Sequence, residues 1–167
     1  MDIRIAKNEG DSISASRIYA MGWKAGYRGM LSEGLLASIP LDRWVDAFNE
    51  NYITKRFELA ILSADGEDVG AGAYGRSRDY EEDGTGEITS IYFLEKAWGK
   101  GYSRELMDFI IRRLNEAGFH RIHVWVLKEN LRARRFYEKC GFTPTGREKR
   151  SSCGPEEVTN IEYIIIK

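Results

Sequence analysis

Asn130-Leu131-Arg132-Ala133-Arg134-Arg135-Phe136-Tyr137-Glu138-Lys139-Cys140-Gly141-Phe142 reads as one short helix with both ends marked. Asn130 is a residue type that caps helix N-termini, and a glycine such as Gly141 readily takes the left-handed conformation that closes a helix. Seven residues make nearly two turns, so Asn130 and Tyr137 differ by only about 20° around the axis and share a face. A polar cap and a phenol thus stand on one side of the helix, while Phe136 and Cys140 turn toward the other helices and the sheet.

Upstream, Trp98-Gly99-Lys100-Gly101-Tyr102-Ser103 stands between a strand pattern, Glu87 to Phe93, and a helical one, Gly101 to Ala117. Leu106, Phe109, Ile110, Leu114 and Ala117 form one stripe of that helix, and Gly118 is placed to end it. The first N–H groups of a helix have no partner within it, and the dipole adds partial positive charge there. Glycines let an anion approach those groups closely, so such a turn suits a pyrophosphate. Neither of two better-known phosphate loops is present: G-x-x-x-x-G-K-[ST] is absent, and no third glycine completes G-x-G-x-x-G.

Outward from these segments, Ile3 to Ile5 reads as a short strand, and Ser14 to Lys24 and Leu41 to Tyr52 as helices. Phe57 to Leu62 and Val69 to Tyr74 are strands joined by a turn at Ala64-Asp65-Gly66-Glu67. An acidic loop, Tyr80-Glu81-Glu82-Asp83-Gly84, precedes the strand at Glu87. His123 to Leu127, Phe142 to Arg147 and Val158 to Ile166 complete a set of seven strands and four helices. The length, 167 residues, fits a single domain over 1–167 with a core of its own.

Composition narrows the function. A net charge of −1 speaks against a surface built to hold nucleic acid by bulk electrostatics. No apolar run approaches the roughly 20 residues of a membrane span, and Met1-Asp2-Ile3-Arg4 lacks the layout of a signal peptide. The expectation is a cytoplasmic protein with no membrane partner. Cys140 and Cys153 cannot build a disulfide framework, and two histidines without a CxxC leave no metal-site spacing. His120 and His123 are expected at the surface or packed, not as bases.

Gly99-Lys100-Gly101-Tyr102-Ser103 resembles the acyl-CoA pyrophosphate loop of the GNAT superfamily, the CoA-dependent N-acyltransferases. Asn130 through Phe142 is similar to that family's following motif, N-x-x-A-x-x-F-Y-E-K-x-G-F, at every named position. The strand order also looks like the GNAT order over nearly the whole chain. The resemblance implies an α/β (α+β) fold: a mixed, mostly antiparallel central sheet of about seven strands, flanked by about four helices. Three positions depart from the family pattern: Glu95 stands at a frequent proline, Lys96 at a Gln or Arg, and Trp98 at an arginine. These bear on side-chain contacts to phosphate, not on the backbone of the loop.

The resemblance further implies an acetyl-CoA-dependent N-acetyltransferase, with no metal, acting by direct transfer on a primary amine of a small molecule or peptide. Ile91, Tyr92 and Phe93 would pair with the pantetheine arm, with an N–H near Tyr92 or Phe93 facing the thioester carbonyl. Gly99, Lys100, Gly101, Tyr102, Ser103 and Arg104 would hold the pyrophosphate, and Asn130 would reach the arm. Lys96, Lys100, Arg104 and Arg132 are candidates for the 3′-phosphate. Tyr137 is the expected general acid. Glu87 is the expected base, acting through water or with a pKa raised by partial burial. Trp23, Tyr27 and a loop near Arg147 to Gly154 are expected to shape the acceptor pocket. A homodimer through the terminal strands is a further expectation. The reading from a different class is a CoA-binding sensor that keeps the site without turnover.

Overall fold

In the computed structural model, which describes residues 1–80 and 84–167, seven strands form one sheet in the order β1-β2-β3-β4-β5-β7-β6. They are β1 (Asp2–Ile5), β2 (Glu58–Ala64), β3 (Glu67–Arg76), β4 (Gly86–Phe93), β5 (Arg121–Leu127), β6 (Thr143–Cys153) and β7 (Glu156–Ile166). Only β4 and β5 run parallel; the other five pairings are antiparallel. The helices are α1 (Glu9–Gly26), α2 (Glu33–Ser38), α3 (Val45–Thr54), α4 (Tyr102–Glu116) and α5 (Leu131–Lys139). The expected acidic loop falls on Glu81, Glu82 and Asp83, outside the described residues. Among the described residues no helix is long and apolar enough to cross a membrane.

Local chemistry accounts for most boundaries. Asn8 accepts the Asp11 N–H at 3.1 Å and so starts α1 at Glu9, ahead of the first apolar residue that periodicity detects. Asp65 and Gly66 both have positive φ (54° and 80°), the primed turn whose twist suits a hairpin. Tyr92 and Ile91 of β4 face opposite sides of the sheet, as successive strand residues must. On the Tyr92 side lies α1, with Gly22 so close that a Cβ there would sit 2.9 Å from that of Tyr92. On the other side α4 lays Ile110 over Gly72, the residue paired with Ile91. Ile18, Ile61, Ile88, Leu106, Ile110, Leu114 and Val124 are buried between these layers, each contributing about 1.5–3 kcal/mol by leaving water.

Two elements differ from expectation. Six-residue α2 adds a fifth helix, capped by Ser32 on the Leu35 N–H. Strand β6 runs on to Cys153, so Arg147 to Gly154 is strand and turn, not a loop. As an edge strand it is polar on both faces, which erases the alternation that marks a half-buried strand.

The feature that positions the site is a parting of strands. β4 and β5 pair only at Gly86 with Ile122 and Glu87 with His123. A bulge follows on β4, where Ala73 faces Ser90 and Tyr74 faces Ile88, leaving Thr89 over. From Thr89 to Phe93 the β4 edge has no ladder partner on that side.

Candidate active site

A cleft of about 550 Å³ opens where β4 and β5 part, within the range of small-molecule sites. Thr89 to Phe93 line it from β4, Gly22 and Gly26 from α1 with Tyr27 just after it, and Asn130, Phe136 and Tyr137 from the α5 segment. Gly99 lines it from the loop that opens α4, and Ser103 from the first turn of that helix.

That loop is built to leave N–H groups free. Gly101 caps α4 with φ 84° and no side-chain hydrogen bond, so the first-turn donors keep no side-chain partner. A Cβ added at Gly101 would meet nothing within 4 Å, so backbone conformation demands the glycine and open space lies before it. Asn130 Oδ1 accepts the Ala133 N–H at 3.1 Å and caps α5. Its amide nitrogen has no protein partner among the described residues.

Tyr137 is 5% exposed, with its ring against Phe136 and Phe142 at 5.5 and 5.7 Å. Among the described residues its hydroxyl has no hydrogen-bond partner. Asn115 Oδ1 and His123 Nδ1 are the fully buried side-chain polar atoms that lack one, so the Tyr137 hydroxyl opens on the cleft. Burial raises its pKa well above that of a free phenol. It stays protonated at any working pH.

Tyr27 and Tyr92 share a hydrogen bond between their hydroxyls at 3.1 Å. Trp23 backs this pair without lining the cleft, edge-on to Tyr27 at 5.0 Å and tilted on Trp44 at 5.9 Å. Helix α2 closes against the β6–β7 turn: the Ser32 N–H reaches the Glu156 carboxylate at 3.1 and 3.2 Å, and Leu35 packs on Gly154.

Glu87 departs from expectation. It is 2% exposed, does not line the cleft, and is ion-paired to the Arg78 guanidinium. The Arg78 backbone N–H and Nε also donate to it, each at 3.1 Å. Burial pushes its pKa up, but the Arg78 contacts outweigh burial and leave it below the usual range. The raised pKa expected of a base is therefore not found. Glu87 instead pins the segment after β3. Its lowered folded-state pKa gives a stabilisation present above the unfolded value of about 4.3 and lost as pH falls through the folded value. Glu87→Gln should cost about 1–3 kcal/mol at pH 7, a difference that shrinks below about pH 4. Urea melts at both pH values check this.

Beside Glu87, His123 is fully buried, with Nε2 2.7 Å from Ser77 Oγ. Its Nδ1 lies 3.2 Å from Glu162 without the alignment of a hydrogen bond. Glu162 is occupied by Tyr80 at 2.8 Å and Thr145 at 2.7 Å. Burial holds His123 below an ordinary imidazole, against the pull of Glu87, Glu162 and Asp79. It is packed, and it does not line the cleft.

Residues 33–142 match the model of the Acetyltransferase (GNAT) family. The chain belongs to the GNAT acetyltransferase family. The structure is similar to a ribosomal-protein-alanine N-acetyltransferase from Brucella melitensis, with a TM-score of 0.78 at 20% identity over 100% of both chains. It is also similar to PaiA N-acetyltransferase from Thermoplasma acidophilum in complex with coenzyme A, with a TM-score of 0.73 at 17% identity over 97% and 98% of the two chains. At such identities the likeness is one of fold. A mycothiol acetyltransferase from Beutenbergia cavernae is 42% identical over 60 residues, which is 36% of this chain and 20% of that relative's length.

In this GNAT acetyltransferase the cations that line the cleft are only in part those the sequence suggested. Lys96 is drawn off to Glu67, and Arg104 to Asp108 at 2.8 Å. Neither lines the cleft, nor do Lys100, Gly101 and Tyr102. Arg132 does, joined by Arg135 and Lys139. Those two were missed, although their spacing from Arg132, three and seven residues, is the signature of one helix face.

Proposed function

We propose that this GNAT protein transfers the acetyl group of acetyl-CoA directly to a primary amine of a small molecule or peptide. One arrangement carries the reading: a cleft along the bare edge of β4, with an uncapped helix N-terminus at one end and an unpartnered phenol opening on it. The residues fit acetyl-CoA. The β4 edge offers main-chain groups to an amide-bearing arm, the α4 N-terminus offers N–H groups to a diphosphate, and Asn130 has a free amide group. Acetyl-CoA, when bound, supplies the acetyl group as a thioester.

The chain's own groups then divide the work. A β4 N–H near Tyr92 or Phe93 stabilises negative charge developing on the acyl oxygen. Tyr137 donates a hydrogen bond to the departing sulfur and gives it a proton, and the phenol is restored by the proton that the amine nitrogen sheds, through water, as it becomes an amide. Burial raises the phenol pKa, so Tyr137 holds its proton until negative charge develops on the sulfur beside it. Tyr27 and Tyr92 wall the acceptor side and are themselves kept protonated by burial. The acceptor enters as the neutral amine, since Glu87 is held by Arg78.

That same ion pair favours the second reading, a CoA sensor without turnover, because it leaves Glu87 unavailable as a base. Acetyl-CoA offered with amines, amino acids and peptides separates the two, with release of the CoA thiol as the signal. Amine-dependent release supports transfer; tight binding without it supports the sensor.

A further inference from the structure

We propose that Trp125 selects the acceptor, and that the acceptor is an amine carried on an aromatic group without a second positive charge. This deepens the acetyl-transfer reading above and rests on it. The N–H groups that suit a diphosphate stand at one end of the cleft, beside Gly99 and Ser103. At its other end the strands part. β4 and β5 last pair at Glu87 with His123, and two residues farther along each strand stand Thr89 and Trp125, both lining the cleft. The acetyl group is the end of acetyl-CoA farthest from the diphosphate, so the acceptor meets it near Trp125.

The walls there present aromatic carbon. Trp125 Nε1 donates to Asp79 at 2.6 Å, which engages the one donor of the indole. Tyr27 and Tyr92 bond each other through their hydroxyls at 3.1 Å, and the Ser90 hydroxyl is engaged by that of Tyr19 at 2.7 Å. A flat ring among Tyr27, Tyr92 and Trp125 gains edge and offset contacts that an aliphatic chain does not. Cations stand beside the indole, with Lys149 Nζ 4.8 Å and the Arg147 guanidinium 5.8 Å from the ring centroid. Of the described residues that line the cleft, none is an aspartate or a glutamate. A second ammonium on the acceptor is therefore repelled.

The indole is held from behind by groups that the acetyl-transfer chemistry does not use. Ser77 Oγ accepts the N–H groups of Asp79 and Tyr80 at 3.1 and 3.0 Å. With both acceptor positions filled, it gives its proton to Nε2 of the buried His123, 2.7 Å away. That anchors the turn carrying Asp79, and Lys149 Nζ, 3.2 Å from Asp79 Oδ2, braces the carboxylate that receives Nε1–H. Asp79 and His123 are thus positioning residues for the ring that faces the acceptor.

Thiol release from acetyl-CoA with 2-phenylethylamine, n-butylamine and 1,4-diaminobutane tests this. Wild type should favour 2-phenylethylamine over n-butylamine about 10–100-fold in kcat/KM, chiefly through KM, and use the diamine least. Trp125→Ala should bring the ratio of the first two close to one, and Trp125→Phe, which keeps a ring, should retain most of it. Asp79→Ala should lower the same ratio, while Asp79→Asn, whose amide oxygen still accepts from Nε1, should keep it. A ratio taken within one preparation does not depend on how much of a variant is folded. Indifference of wild type between the first two amines, preference for the diamine, or an unchanged ratio in Trp125→Ala would overturn the proposal and leave acetyl transfer standing. Release with peptides but with none of these three amines would do the same. Release with no amine at all would overturn the transfer reading and the proposal with it.

Discussion

Tyr137→Phe should lower kcat by roughly 10²–10⁴-fold, the range for a positioned acid, with affinity for acetyl-CoA nearly unchanged. The substitution removes one oxygen and keeps the ring that packs on Phe136 and Phe142. That oxygen holds no hydrogen bond to the described protein, so nothing buried is orphaned by its loss and the fold should be as stable as before. A leaving thiolate, whose parent thiol has a pKa of about 8.5 in water, is the group that feels its absence. The loss should therefore fall on kcat, and thioesters with better leaving groups should suffer less. Wild-type kcat in the variant would return Tyr137 to a packing role.

Gly101→Val should weaken acetyl-CoA binding by at least about 100-fold, equivalent to losing two charge-assisted hydrogen bonds at roughly 1.5–3 kcal/mol each. Gly101 has φ 84°, a region that costs an ordinary residue about 1–2 kcal/mol and a β-branched one more. The chain relieves that strain by turning the peptide, which re-aims the first N–H groups of α4. The new side chain also fills space where no protein atom lies within 4 Å of a Cβ. Far-ultraviolet circular dichroism should stay that of wild type, while calorimetry shows the affinity lost. Unchanged affinity would remove the loop from the site.

Much of this was legible in the residues. Asn130 to Phe142 announced α5 with its cap, its closing glycine and a phenol on the capped face, because helix ends and faces follow from local chemistry. Gly99 and Gly101 announced the uncapped turn for the same reason. Sheet membership was readable wherever one face is buried and the other wet; in β6 it was not, since both faces are polar. Nothing local marked the parting of β4 from β5, which depends on a bulge at Thr89 and on which strands become neighbours. The partner of Glu87 was hidden for a related reason. A lone carboxylate on an apolar strand suggested a base, but Arg78, nine residues earlier and across a hairpin, reaches back to neutralise it. Lys96 and Arg104 were likewise drawn off, by Glu67 and Asp108, leaving the cleft to cations of α5.

The most direct measurement is the stoichiometry of transfer. Acetyl-CoA is incubated with the protein and the best acceptor of an amine panel, and free CoA thiol and acetylated amine are quantified together. Direct transfer predicts one acetylated amine for each thiol released, with release absent without amine and lost in Tyr137→Phe. Thiol release that is independent of every amine, or acetyl-CoA bound tightly with no acetylated product, would contradict it.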